Sequence, residues 1–153
     1  MIKPFLFFLI LLSGPFVVFG QQSINTDESK VSFEVSNMRF NTVEGTFSGM
    51  TGTIQFDPTD LSTASMDVCV DASSVDTDNK KRDEHLRKDD FFDVEKYPTI
   101  CFKSSSVTKT SSGYEVRGML TMHGISKEVS IPFTFTEDTM SGNLSIERTD
   151  YKV

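Results

Sequence analysis

The side chains best equipped for chemistry are two histidines, His85 and His123, two cysteines, Cys69 and Cys101, and the carboxylates around residue 85. His85 follows Asp83 and Glu84, a spacing from which an acid–base pair could be built. Serine and threonine are abundant, so counting does not exclude a Ser-His-Asp set. No Gly-x-Ser-x-Gly elbow presents a serine as a nucleophile, however. The two histidines and two cysteines lack the close spacing of metal ligands, so a metal site is not expected. His85 reads better as a hydrogen-bonding member of a charged connection, and His123, just before Gly124, as a turn residue. Neither a catalytic set nor a cofactor site emerges.

The balance of the chain narrows its partners. Among 153 residues, 15 are Lys or Arg and 22 are Asp or Glu, giving a net charge of −7. No basic run stands out, which argues against nucleic acid and anionic membrane surfaces. Hydrophobic residues make up 37%, enough for a packed core. The length suits one domain. Residues 1–20 read as a cleaved signal peptide: Lys3, an apolar run from Phe5 to Leu12, then Gly20 before Gln21. Gly14 and Pro15 interrupt the run, which is too short to span a bilayer. The domain expected is therefore 21–153, exported to a periplasmic or secreted destination, with no stable membrane insertion after cleavage. A disulfide can persist in such a compartment.

The elements that must position these groups read as strands. Val31, Phe33 and Val35 alternate with polar residues, as do Met66, Val68 and Val70, and Ile100 and Phe102. Tyr114 to Met122 and Val129 to Phe135 repeat the pattern, and Leu144 and Ile146 give a weaker last strand. The stretch from Phe47 to Phe56 carries Gly49 and Gly52, which suggests a bulge or sharp bend. Between Thr77 and Lys96 the pattern turns charge-dense, and one or two short helical turns are expected there. Seven antiparallel strands with one apolar face each predict an all-β domain. Patterning alone does not decide between a barrel and a sandwich, or between a filled and a ligand-holding interior.

Motifs go further. Arg82-Asp-Glu-His-Leu-Arg87 followed by Asp90-Phe-Phe-Asp-Val-Glu-Lys-Tyr-Pro98 resembles the signature of the YceI-like family. In the same order come SKVSFEV (29–35), VEGTF (43–47), IQFDP (54–58), DASSVDT (71–77), FKS (102–104), GMLTMHG (118–124) and RTD (148–150). The resemblance implies an antiparallel lipocalin-like barrel, exported in bacteria, that holds a long isoprenoid chain or isoprenoid quinone and is not an enzyme. The inferred ligand-lining residues are Phe33, Val35, Phe47, Phe56, Val68, Val70, Phe91, Phe92, Ile100, Phe102, Leu120, Ile131 and Phe133. The other reading of each is ordinary core, in a filled barrel that acts as an envelope interaction module. Arg82 and Asp83 are expected to pin the connection by a local ion pair; alternatively they join His85 as a polar lip of the cavity mouth. Two departures from the family pattern stand out: Asn37 replaces a frequent His, and Lys152 falls where a Gly is usual.

Three sharper expectations follow. If Cys69 faces Cys101, facing positions sum to 170, Val68 meets Phe102 on the inner face, and Asp67 meets Lys103 on the outer. The two cysteines are then outward neighbours within reach of a disulfide, the alternative being two free thiols. Phe91 and Phe92 are expected to put at least one ring into the barrel, the alternative being that both anchor the loop outside the sheet. Finally, the sequence stops where the family's closing strand would begin. A seam is therefore expected beside the first strand, with lowered stability or a homodimer through the open edge.

Overall fold

The computed structural model describes residues 22–37 and 41–153. The signal-peptide segment and Asn37's side chain lie outside the described residues. Among the described residues nine strands form: β1 (Gln22–Ser23), β2 (Val31–Asn37), β3 (Asn41–Phe47), β4 (Thr51–Gln55), β5 (Ser65–Asp71), β6 (Thr99–Thr110), β7 (Gly113–Met122), β8 (Ile125–Thr136) and β9 (Thr139–Gly142). One helix, α1 (Lys80–Leu86), interrupts them. Seven strands make one antiparallel sheet in the order β1-β4-β5-β6-β7-β8-β9, while β2 and β3 pair as a separate hairpin. The sheet is a half-barrel, and among the described residues it does not close.

Strand alternation determines which side chains share the concave face. From β5 through β8, Val68, Phe102, Leu120 and Lys127 form one row across it. In the next row, Ser104 opposes Gly118, which opposes Val129. Long β6 keeps its apolar side inward only by a change of phase. A register shift between Ser104 and Ser106 moves the inward positions from even to odd numbers, so Phe102 and Val107 are both buried. The serine triplet carries no apolar signal, which is why the strand appears to stop at Lys103 in sequence.

Turns fix the register. His123 and Gly124 both have positive φ (51° and 74°) and connect paired Met122 and Ile125. That is the twist a two-residue hairpin needs. Glu137 and Asp138, also at positive φ, do the same between β8 and β9. Gly49, at φ 68°, supplies the bend expected between Phe47 and Phe56, and splits that stretch into β3 and β4. Ser48 holds the corner: its N–H donates to Ser74 Oγ at 2.9 Å, and its carbonyl accepts from the Asp71 N–H at 3.1 Å.

One expectation is corrected. Leu144 and Ile146 form no strand and are exposed, because the chain leaves the sheet after Gly142. It returns as a 3-10 turn, Arg148–Tyr151, that buries Tyr151 and Val153. The charge-dense connection contains the expected short helix, α1, capped by Asn79 Oδ1 accepting from the Arg82 N–H at 3.1 Å.

Candidate functional site

The concave face has two packed ends. At one, Phe47, Val70, Val75, Phe92, Met122, Tyr151 and Val153 form a buried cluster beneath α1 and the C-terminal turn. At the other, Phe56, Met66, Phe102, Val107, Val116 and Phe133 form a second cluster toward the β6–β7 hairpin. Leu120 packs against both. Between and beside them Val68, Ile100, Leu120, Val129 and Ile131 point inward but are only half-buried. Gly118 is closely covered at mid-face: a Cβ there would come within 2.8 Å of the Phe102 ring and nearer still to the β6 backbone.

Of the thirteen candidate lining residues, twelve gather at these clusters. Phe33, Phe91 and Ile100 pack against the first, Val68 and Ile131 against the second, and Phe47, Phe56, Val70, Phe92, Phe102 and Phe133 are core members. Val35, half-buried on β2, belongs to neither. Phe92 enters the core, its ring edge-on to Phe47 at 5.3 Å, while Phe91 stays half-buried with its ring edge-on to His85 at 4.9 Å.

The polar motif is a clamp. Arg82 does not pair with Asp83; both grip Thr77. Buried Asp83 Oδ1 accepts from the Thr77 N–H at 2.9 Å and from its hydroxyl at 2.6 Å. Arg82 Nε donates to Thr77 Oγ1 at 2.7 Å and Nη2 to the Thr77 carbonyl at 2.8 Å. Arg87 donates to the carbonyls of Ser73 and Val75 at 2.7 and 3.0 Å. The opposite edge of this extended segment bridges to β3, where Asp76 and Thr46 exchange both backbone hydrogen bonds. Val75, fully buried, is thereby fixed in the floor of the first cluster. A buried carboxylate needs such hydrogen bonds to be tolerated. His85 lies outside, exposed, with Nε2 at 2.6 Å from Asp90 Oδ2. A hollow of about 500 Å3 beside the clamp is lined by Arg87, Lys88, Asp89, Asp93, Val94 and Glu95, all but Val94 charged and ill suited to a hydrocarbon.

Cys69 and Cys101 face each other on the convex side and form a disulfide, with Cα atoms 4.0 Å apart. Their strands have the register in which facing positions sum to 170, and Lys103 Nζ lies 3.8 Å from Asp67 Oδ2.

Tyr151, Arg87 and Thr77 are the residues that sequence reasoning passed over. Tyr151 is 1% exposed, yet among the described residues its hydroxyl has no hydrogen-bond partner. Burial, with Asp150 as a lesser cause, pushes its phenol above the ordinary tyrosine range. His123 Nδ1 lies 3.1 Å from the Tyr151 carbonyl, and Arg148 Nη1 donates to the Val153 carbonyl at 2.6 Å. Among the described residues no group of three metal ligands occurs, and no helix is long and apolar enough to cross a membrane.

An open antiparallel half-barrel with an apolar concave face, capped by a motif-bearing connection, defines a lipocalin-like barrel. The YceI-like domain profile matches residues 23–153. The chain belongs to the YceI-like family. A UPF0312 protein of Vibrio cholerae is 35% identical over 108 residues, 70% of this chain and 57% of that protein. Protein YceI of Escherichia coli is 35% identical over 101 residues, 66% of this chain and 53% of that protein. The matched region thus spans little more than half the length of these curated relatives. Among solved structures, BcnA of Burkholderia cenocepacia superposes with a TM-score of 0.77 at 29% identity, covering 85% of this chain and 84% of that one. A polyisoprenoid binding domain from Saccharophagus degradans shares the fold at 18% identity and a TM-score of 0.53, over 80% of this chain and 73% of that one.

Proposed function

We propose that the protein is an exported binding protein that holds a long apolar isoprenoid-type chain on the concave face of its barrel, without catalysing a reaction on it. The observation that carries this reading is the half-buried middle of that face. Val68, Ile100, Leu120, Val129 and Ile131 are apolar, contiguous across four strands and only partly covered, between two ends that are packed. Each methylene that a tail buries there contributes about 0.8 kcal/mol, so a prenyl chain needs few polar contacts. Family membership and the polyisoprenoid binding ascribed to the Saccharophagus domain point the same way. The disulfide suits an oxidising compartment, which supports export. The edge of β2 that faces away from β3 has no strand partner among the described residues, and a homodimer through that edge belongs to the same proposal.

Organic extraction of the purified protein, followed by mass spectrometry, tests the reading. A co-purifying prenyl lipid is the expected result. Protein that is repeatedly empty and takes up no added isoprenoid quinone would defeat it. The aromatic packing of Phe56 against Tyr114, Phe133 and Phe135, at 5.0 to 5.5 Å, favours in that event a filled barrel serving as an interaction module. Sedimentation at two concentrations tests the dimer; an unchanging monomer would sink it.

A further inference from the structure

Tyr151 buries a group that its surroundings do not need. Its neighbours in the cluster are Phe47, Val75, Phe92, Met122 and Val153, all apolar. Phenylalanine would fill the same space without taking a hydroxyl out of water. A buried hydroxyl without a partner is a standing cost to the fold. The residue is held firmly, since its own carbonyl faces His123 and the turn around it is closed by the Val153 N–H donating to the Arg148 carbonyl at 3.3 Å. Half-buried Phe33, Ile100 and Leu120 pack against this cluster from the concave face. A head group at that end of the face would reach the Tyr151 hydroxyl only by passing between these residues.

We propose that the Tyr151 hydroxyl is the head-group anchor of the site, donating a hydrogen bond to a neutral acceptor oxygen, such as a quinone carbonyl, at the end of the bound chain. This rests on the apolar-chain reading above and deepens it. The neutral character follows from the surroundings of the hydroxyl, a cluster made of apolar side chains. The nearby surface cation Lys127 is paired with Asp150 at 2.9 Å. An anionic head would be buried among apolar groups, at large cost. A carbonyl oxygen needs only the one donor that Tyr151 supplies.

The test compares full-length wild type with Tyr151→Phe, which removes one oxygen and keeps the packing. Calorimetric titration with a short-tailed prenylated benzoquinone is set against titration with an isoprenoid hydrocarbon of matching length. The variant should bind the quinone roughly 5- to 10-fold more weakly and the hydrocarbon with unchanged affinity. Its ligand-free melting temperature should equal or exceed that of wild type. Equal effects on both ligands, or none on either, would overturn the anchor while leaving the apolar-chain reading standing. Wild type that binds neither ligand would remove both.

Discussion

The two ends of the barrel are closed by different means. The end near the β6–β7 hairpin is closed by the sheet itself: Phe56, Tyr114, Phe133 and Phe135 meet edge to face or stacked, all from strands or the residue just beyond one. The end near α1 is closed by segments outside the sheet, Phe92 from the long connection and Tyr151 and Val153 from the C-terminal turn. Those segments are held by hydrogen bonds to charged side chains, those of Asp83, Arg82, Arg87 and Arg148. An end made of strands can open only if the sheet unfolds. An end made of pinned loops can open while the sheet stays intact, which is where a long ligand would have to enter.

That contrast can be broken in order of expected effect. Phe133→Ala should cost about 3–5 kcal/mol and lower the melting temperature of the whole domain, because it removes a ring from the sheet-built end. A loss confined to local opening would contradict the assignment. Reducing Cys69–Cys101 comes next. The bridge closes a loop with a sequence separation of 32, so chain-entropy reasoning gives roughly 3–4 kcal/mol, measurable by urea denaturation with and without reductant. Asp83→Asn should cost about 1–3 kcal/mol by weakening the grip on Thr77. Its signature is regional: hydrogen exchange should rise across residues 73–97 and stay unchanged in β6 to β8. Uniform acceleration would mean that the pinned end is not independent.

Lys152→Gly is expected to stabilise by about 0.5–1 kcal/mol. Lys152 sits at φ 57°, a left-handed position that glycine occupies without strain, and it ends the turn carrying Tyr151. The smallest effect is absent at neutral pH. Burial raises the Tyr151 phenol above its unfolded value. Its neutral form is therefore favoured fully below about pH 10, and that stability is lost as pH rises through the folded pKa. Tyr151→Phe should have a shallower alkaline decline in stability than wild type; superimposable alkaline limbs would show the phenol to be unperturbed.

What could be read in the sequence follows from how each feature is encoded. Period-two alternation exposed the inward set of β5, β7 and β8, and cross-strand pairing of Cys69 with Cys101 carried enough constraints on both faces to give a register. β3 escaped as a separate strand because Val43 and Phe47 are its only large apolar residues. The far half of β6 escaped because its bulge reverses the phase. At the site, the signature around Arg82 and Phe92 marked the pinned connection, but the partner of Arg82 and Asp83 was misread. Thr77 is five residues upstream of Arg82, and nothing in its type announces that its backbone is the target. Tyr151 was hidden for a related reason: burial by a returning tail leaves no periodic trace.

The clamp has a further consequence, for association with other chains. The carbonyls of Val75 and Thr77 flank Asp76 on the stretch that bridges to β3, and as free acceptors they would suit an incoming strand. Two guanidinium groups already occupy those acceptors, with the fixed forks and permanent charge of arginine. A second polypeptide would have to displace both cations before it could add to this edge. The arginines thus do for this margin what an additional strand would otherwise do, and make it a poor template for aggregation.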